Sequence, residues 1–381
     1  MSLSREQICQ QAARKLLAAA PNMRSIKATI GLDGFVDEII AVVDKRHDCE
    51  RFDPIREIEV FGQKVLASAG QSNNFELVVK QMKLGGNGPI MANALAATGM
   101  GITYLGCLGF PEIHPVFAQL AQRSERVITV ADPGHTDALE FEDGKLMLGK
   151  HGSLRDVTWA NLLLRVGLDT LIGTMSDSTL IGMVNWTMLP YLSEIWAKLS
   201  DEVFPKLPKA KRYFFADLCD PEKRTADDLR AAMKLLTKIQ GQMDVILGLN
   251  LKESTQVARV LGVAVPESAK DQTAAIEKTA RGIREALDLS CVVVHPRRGA
   301  AAATDDGAGA EFVGPFVKDP KISTGAGDHF NAGFCLGRVL GMSLEESLAT
   351  GCGTSGYYVR TALSPSAQQL AEFIATMPGP Q

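Results

Sequence analysis

The sequence predicts an α/β fold in which a mostly parallel central sheet carries helices on both faces. From about Asp169 onward, apolar runs (Thr170 to Gly173, Leu180 to Val184, Tyr213 to Ala216, Val245 to Leu249 and Cys291 to His295) alternate with helix-periodic stretches. Those stretches are Leu189 to Leu199, Ala226 to Gln240, Thr255 to Leu261 and Thr273 to Ala286, and such alternation argues parallel strands joined by crossover helices. A second observation lies upstream. The β-branched run Lys27 to Gly31 ends in Gly31-Leu32-Asp33-Gly34-Phe35-Val36-Asp37, the strand-then-turn punctuation found where ligands gather at strand C-terminal ends.

Taken in order, Ser4 to Ala20 is an amphipathic helix opened by a Ser4/Gln7 capping box and stopped by Pro21. It is expected to be an N-terminal extension, residues 1–25, ahead of one large unit, residues 26–381. Between residues 36 and 82 helical periodicity is not sustained, and short apolar stretches such as Ile39 to Val43 and Glu57 to Val60 alternate with polar breaks. His135 to Gly149 has the pattern of a hairpin turning at Asp143-Gly144. These two β-rich insertions, about 36–82 and 135–150, are expected to pair into one small sheet.

Composition narrows the function. Hydrophobic residues make up 46% and charged residues 22%, the balance of a soluble globular protein. The net charge of −4 comes without a basic block, which argues against a nucleic-acid or membrane surface, so a small anion would need a built site. Seven cysteines are scattered singly without a CxxC pair, as in a reducing cytoplasm. His47 and Cys49 lack the second pair that a zinc site needs. Neither a signal peptide nor an apolar run of about 20 residues is present, so a cytoplasmic location is expected.

The segment Ser323-Thr324-Gly325-Ala326-Gly327-Asp328 precedes residues with helical spacing, Phe330, Phe334 and Leu336. A glycine turn opening a helix binds anions, because the unpaired N–H groups of the first turn and the helix dipole favour negative charge. Asp328 is either an N-cap or a general base, and the dipole would hold it ionised. Asn250 and Glu253 follow the strand Val245 to Leu249 three apart at a helix start. Such oxygen ligands suit hydrated Mg²⁺, and they also suit a helix cap. Gly85 and Gly86 supply the freedom of a lid hinge and close approach to a substrate, with Asn87 and Asn93 able to face it. Asp33 and Asp37 flank the end of the first strand, and at least one of them is expected to cap a turn. Gly351 to Gly356 spells GxGxxG but lacks room for the βαβ unit of a dinucleotide site, and a closely packed helix fits better. No P-loop, HExxH or GxSxG occurs.

These motifs, in this order, resemble the ribokinase-like (PfkB) carbohydrate kinases over about residues 26–365; the C-terminal signature of that family reads much like TGAGDxFxAG. The resemblance implies a ribokinase-like three-layer α/β/α fold with a small β-sheet lid. It also implies ATP- and Mg²⁺-dependent phosphorylation of a hydroxyl of a sugar or sugar-like alcohol. By position, Gly325, Ala326 and Gly327 would form the anion hole and Asp328 the base, while Asn250 and Glu253 would order metal-bound water. Asp37 is the family equivalent by its distance from Gly31, with Asp33 as competitor, and Gly85, Gly86, Asn87 and Asn93 would meet the sugar. His295 and Gly299 stand where relatives carry Thr-x-Gly-x-x-Gly beside the nucleotide, and Arg224 would neutralise phosphate or sit solvated at a helix start. Ile322 replaces an Asp common in the family, an expected loss of a hydrogen bond or cation contact that leaves a monovalent-cation requirement open. Lid sheets of this family often pair between subunits, so a homodimer through residues 36–70 and 135–150 is expected. A nucleoside kinase of the same fold and a catalytically silent sugar- or nucleotide-binding protein are the alternatives.

Overall fold

The computed structural model describes residues 3–266 and 273–379. The chain enters through the helix Arg5–Ala19, whose capping box forms as expected: Ser4 Oγ accepts from the Gln7 N–H at 3.2 Å and Ser4 N–H donates to Gln7 Oε1 at 2.8 Å. Its face of Ile8, Ala12 and Leu16 is buried against the helices Leu344–Thr361 and Ala367–Ala375. β1 (Lys27–Leu32) follows, and β2 (Phe35–Arg46), β3 (Phe52–Pro54) and β4 (Leu77–Gly85) leave the body. β5 (Gly101–Gly106) and β6 (Arg126–Thr129) return to it, before β7 (Gly134–Glu140) and β8 (Lys145–Lys150) leave again. The remaining strands are β9 (Leu180–Met183), β10 (Tyr213–Asp217), β11 (Asp244–Leu249), β12 (Cys291–Val294), β13 (Gly299–Thr304) and β14 (Gly309–Val313).

Among the described residues, nine strands form the large sheet in the order β14-β13-β12-β11-β10-β9-β1-β5-β6. Every pair from β12 to β6 is parallel, and only β13 and β14 run antiparallel to their neighbours. Parallel strands are covered on both faces, which is why β10 is buried along its whole length and β11 beyond its first residue. One face packs Phe330, Phe334 and Leu348, and the other packs Trp186, Trp196 and Leu236. The result is the expected three-layer α/β/α arrangement.

The two insertions make a separate small sheet, β3-β2-β7-β8, with β4 also on β2. Parallel pairing of β2 with β7 joins them, and the β7–β8 hairpin closes with Glu140 opposite Lys145, around Asp143-Gly144. Ile40, Val42, Leu139 and Phe141 give this lid its own core.

Two expectations change. Thr170 to Gly173 is not a strand but part of the helix Leu168–Ser176, where Leu171 and Met175 are buried four apart on one face. Glu57 to Val60 opens a helix, Ile58–Ala67, that lies on the lid without a fully buried residue.

Candidate active site

The C-terminal ends of the parallel strands supply the polar groups. Asp33 follows β1, Asn185 lies just past β9, Asp217 closes β10, and Asn250 follows β11. The helix Ala326–Val339 points its N-terminus at them, and Gly325 before it is in the left-handed region with φ 87°.

Asp33 is fully buried. Its Oδ2 accepts from the Asn87 N–H at 2.9 Å and Asn185 Nδ2 at 2.6 Å, and its Oδ1 from the Gly88 N–H at 2.8 Å. It thereby anchors the first turn of the helix Asn87–Ala97, and burial, opposed by these bonds, pushes its carboxyl up to about 6. Asp37 sits on the lid, opposite Lys83 in the β2–β4 register, and hydrogen-bonds Thr136. It borders the narrow seam between lid and body together with Lys83, Lys145, Ile90, Thr324 and Tyr358. Each carboxylate passes a glycine. A Cβ on Gly85 would stand 2.4 Å from Asp37 Oδ2, and one on Gly86, where φ is 94°, would stand 2.8 Å from Asp33 Oδ2. Ile322 borders the same seam as an apolar group.

Asp217 opens the segment Asp217 to Arg224, of which only Arg224 was expected at the site, yet it is Asp217 that stands among the acids. Its Oδ1 accepts from Asn87 Nδ2 at 3.2 Å and its Oδ2 from Asn331 Nδ2 at 3.0 Å. Asn87 also lies beside Asp328 and favours its charged form. Burial first, and then the charges of Glu253 and Asp328, hold the Asp217 carboxyl well above the usual range. For Asp328 the causes are burial and then Asp33. The expectation that the helix dipole keeps Asp328 ionised is therefore corrected: a dipole contributes about 0.3–1 kcal/mol, and desolvation beside like charges outweighs it.

The Asn250/Glu253 pair forms a complete capping box. Asn250 Oδ1 accepts from the Glu253 N–H at 2.9 Å, Glu253 Oε2 accepts from the Asn250 N–H at 2.9 Å, and Glu253 Oε1 accepts from the Asp220 N–H at 2.9 Å. Among the described residues no lysine or arginine forms an ion pair with Asp33, Asp217, Glu253 or Asp328; Lys252 pairs with Asp220 and Glu222 instead. Asn185 Oδ1 and Asn331 Oδ1, beside these acids, are buried without a partner. This uncompensated charge and these spare oxygens fit a hydrated divalent cation. Among the described residues no group of three or more His, Cys, Asp or Glu side chains is placed to hold a bare ion, so the fit is to an ion that keeps its waters.

Beyond the glycine turn opens a cleft of about 620 Å³, bordered by Asn250, His295, Gly299, Gly327, Ser355 and Gly356. His295 lies on Phe330 with ring centroids 4.7 Å apart, and burial pushes its imidazole down to about 4. The GxGxxG run is interior to the helix Leu344–Thr361 and walls this cleft. Within the turn, the Ala326 N–H donates to the Ser323 carbonyl at 3.2 Å, while among the described contacts the N–H groups of Gly325 and Gly327 have no partner.

Two predicted residues lie elsewhere. Arg224 donates to the carbonyls of Trp186, Thr187, Leu189 and Pro190 and covers the Trp186 ring, so its guanidinium is occupied in holding a loop and is absent from the cleft. Asn93 is held between Arg123 and Ser364, at 3.1 and 3.3 Å, rather than turned to the acids.

Known structures share this architecture. A carbohydrate kinase from Agrobacterium tumefaciens aligns with 93% of this chain and 98% of its own at a TM-score of 0.62 and 18% identity. Arabidopsis thaliana ribokinase complexed with ribose and ATP aligns with 92% and 98% at 0.60 and 15%. A nucleoside kinase from Methanocaldococcus jannaschii aligns with 92% and 98% at 0.57 and 13%. The fold is that of ribokinase. A family model described as prokaryotic ketohexokinase matches residues 5–377. A ketohexokinase of Haloferax volcanii is 31% identical over 350 residues, spanning 91% of this chain and 90% of its own. The chain is a carbohydrate kinase, a phosphotransferase with an alcohol group as acceptor. It belongs to the prokaryotic ketohexokinase family.

Proposed function

We propose that this chain transfers the γ-phosphoryl group of ATP to a hydroxyl of a ketohexose, with Asp328 as general base and the Gly325–Gly327 turn as anion hole. One observation carries the proposal: a half-buried carboxylate stands in the first turn of a helix whose leading glycine N–H groups are open, where the cleft and the lid seam both reach Thr324. Phosphoryl transfer depends mostly on positioning and charge stabilisation, and these groups provide both.

Asp37, with Lys83 beside it, would hold sugar hydroxyls from the lid; Asp33, whose oxygens are taken by Asn87, Gly88 and Asn185, sets the floor. Asn87 aligns Asp217 and Asp328 on the acceptor side. His295, Gly299 and Gly327 would border ATP in the cleft. Mg²⁺ would be held through water by Asn250, Glu253 and Asp217, and when bound it neutralises phosphate charge. Asp328 takes the hydroxyl proton onto a carboxylate oxygen, and a carboxyl held above its ordinary range is the stronger acceptor once ionised.

The body is taken as residues 26–381 with lid insertions near 36–82 and 135–150. We place the enzyme in the cytoplasm as a homodimer joined through the lid, which leaves Leu77, Val79, Met82 and Leu148 exposed. Among the described residues no helix is long and apolar enough to cross a membrane.

An ADP-release assay with ketohexoses, aldoses and nucleosides tests the acceptor class. Turnover with a ketohexose and none with nucleosides is expected, and the reverse preference would overturn the assignment.

A further inference from the structure

Directly behind the glycine turn lies a polar chain that the chemistry above does not use. His329 is 2% exposed, and its Nδ1 lies 2.8 Å from the Gly325 carbonyl oxygen while its Nε2 lies 2.9 Å from Ser364 Oγ. The imidazole stacks on Tyr358 with ring centroids 3.6 Å apart and planes at 13°, and the Tyr358 hydroxyl donates to the Thr324 carbonyl at 3.0 Å. Ser364 in turn accepts from Asn93, which Arg123 holds.

The tautomer follows from the partners. A carbonyl can only accept, so Nδ1 carries the proton and Nε2 accepts from the Ser364 hydroxyl. Burial pushes the ring down to about 4, so it stays neutral over the pH range in which the protein works.

A trans peptide is planar, with its carbonyl and N–H pointing opposite ways. Holding the Thr324 carbonyl back therefore turns the Gly325 N–H forward. Holding the Gly325 carbonyl aims the Ala326 N–H at Ser323, which closes the turn and leaves the Gly327 N–H open. We propose that His329, stacked on Tyr358, is a positioning residue that fixes the two carbonyls of the anion turn and so aims its N–H groups at the transferring phosphoryl group. Asn93 acts through the same chain, as a brace on Ser364.

This inference rests on the assignment of Gly325–Gly327 as the anion hole, and the test separates the two. Asn places an amide N–H near the position of Nδ1, Gln places one near Nε2, and Phe keeps only the stack. The Gly325 carbonyl still accepts the helix bond from the backbone N–H of residue 329 at 3.1 Å, so none of these variants leaves it bare. Steady-state kinetics, with rates normalised to folded protein by thermal melts, should show His329→Asn within about threefold of the parent kcat. His329→Gln and His329→Phe should lose about 10- to 100-fold in kcat at unchanged sugar KM. Tyr358→Phe, which deletes one hydroxyl and keeps the stack, should also lower kcat. Parent-like kcat in the Gln and Phe variants, or equal losses in all three His329 variants, would overturn the inference. If Asp328→Asn is inactive while His329→Phe is normal, only this inference fails. If Asp328→Asn is fully active, the proposed site on which this inference rests fails as well.

Discussion

At the scale of single residues, opposing effects on the carboxylates decide the chemistry. Asp33 is raised by burial, Asp217 by burial and then by Glu253 and Asp328, and Asp328 by burial and then by Asp33, and the hydrogen bonds they accept only offset this. The sign has two consequences. A raised general base must lose its proton to act, so kcat/KM is expected to fall as pH drops through a value well above the ordinary carboxylate range. A profile flat down to pH 4 would remove Asp328 as base. Raised carboxyls also bind protons more tightly in the folded state, so stability is greatest below their ordinary range and is lost as pH rises through the folded values. For Asp33 that window runs from the ordinary carboxylate value of 3.8 to about 6. Thermal melts without nucleotide should therefore show a fall in Tm from pH 5 to pH 7 that is smaller in Asp217→Asn. An identical slope would mean that the cluster is already neutralised. Asp328 was legible because a glycine turn marks it; Asp217, Asn185 and Asn331 were not, since a lone polar residue at a strand end or one helical turn past a motif looks like any other.

Short elements explain what the glycines and the cap do. Gly86 lies in the left-handed region, and a side chain there would press on Asp33 and Pro89, so Gly86→Val is expected to raise sugar KM and lower kcat together. Parent-like kinetics would make this turn structural only. Glu253 closes a capping box and also takes the Asp220 N–H, so Glu253→Gln, which sets an amide N–H against one of these donors, should cost about 1 kcal/mol of stability. It should also weaken the Mg²⁺ dependence of turnover. A stability loss with an unchanged magnesium titration would leave Glu253 a cap alone. The sequence posed cap and metal contact as alternatives, while the geometry shows the cap and leaves the second lone pairs to water. Local ambiguity had the same origin at Thr170 to Gly173, where four apolar residues fit strand and helix alike until Leu171 and Met175 settle on one buried face.

Over the whole molecule, alternation of strands and helices made the layered fold readable, and the two β-rich insertions made the lid readable. The order of nine strands was not readable, because parallel crossovers leave no local mark of which neighbour a strand will find. Pairing of β2 with β7 sets Asp37 on the seam that Thr324 borders from the body, so the lid and the glycine turn meet there. If the exposed apolar side chains of the lid meet a second copy, light scattering should give a dimer mass and Leu148→Lys should shift it toward the monomer; a monomer at high concentration would end that proposal. The central claim is phosphoryl transfer through Asp328, and its most direct measurement compares Asp328→Asn with the parent chain for ADP release on a ketohexose, alongside nucleotide affinity and a thermal melt. The expected result is unchanged folding and nucleotide binding with kcat lower by roughly 10² or more. Normal turnover with a stability loss of about 1 kcal/mol would make Asp328 a helix cap and contradict the account.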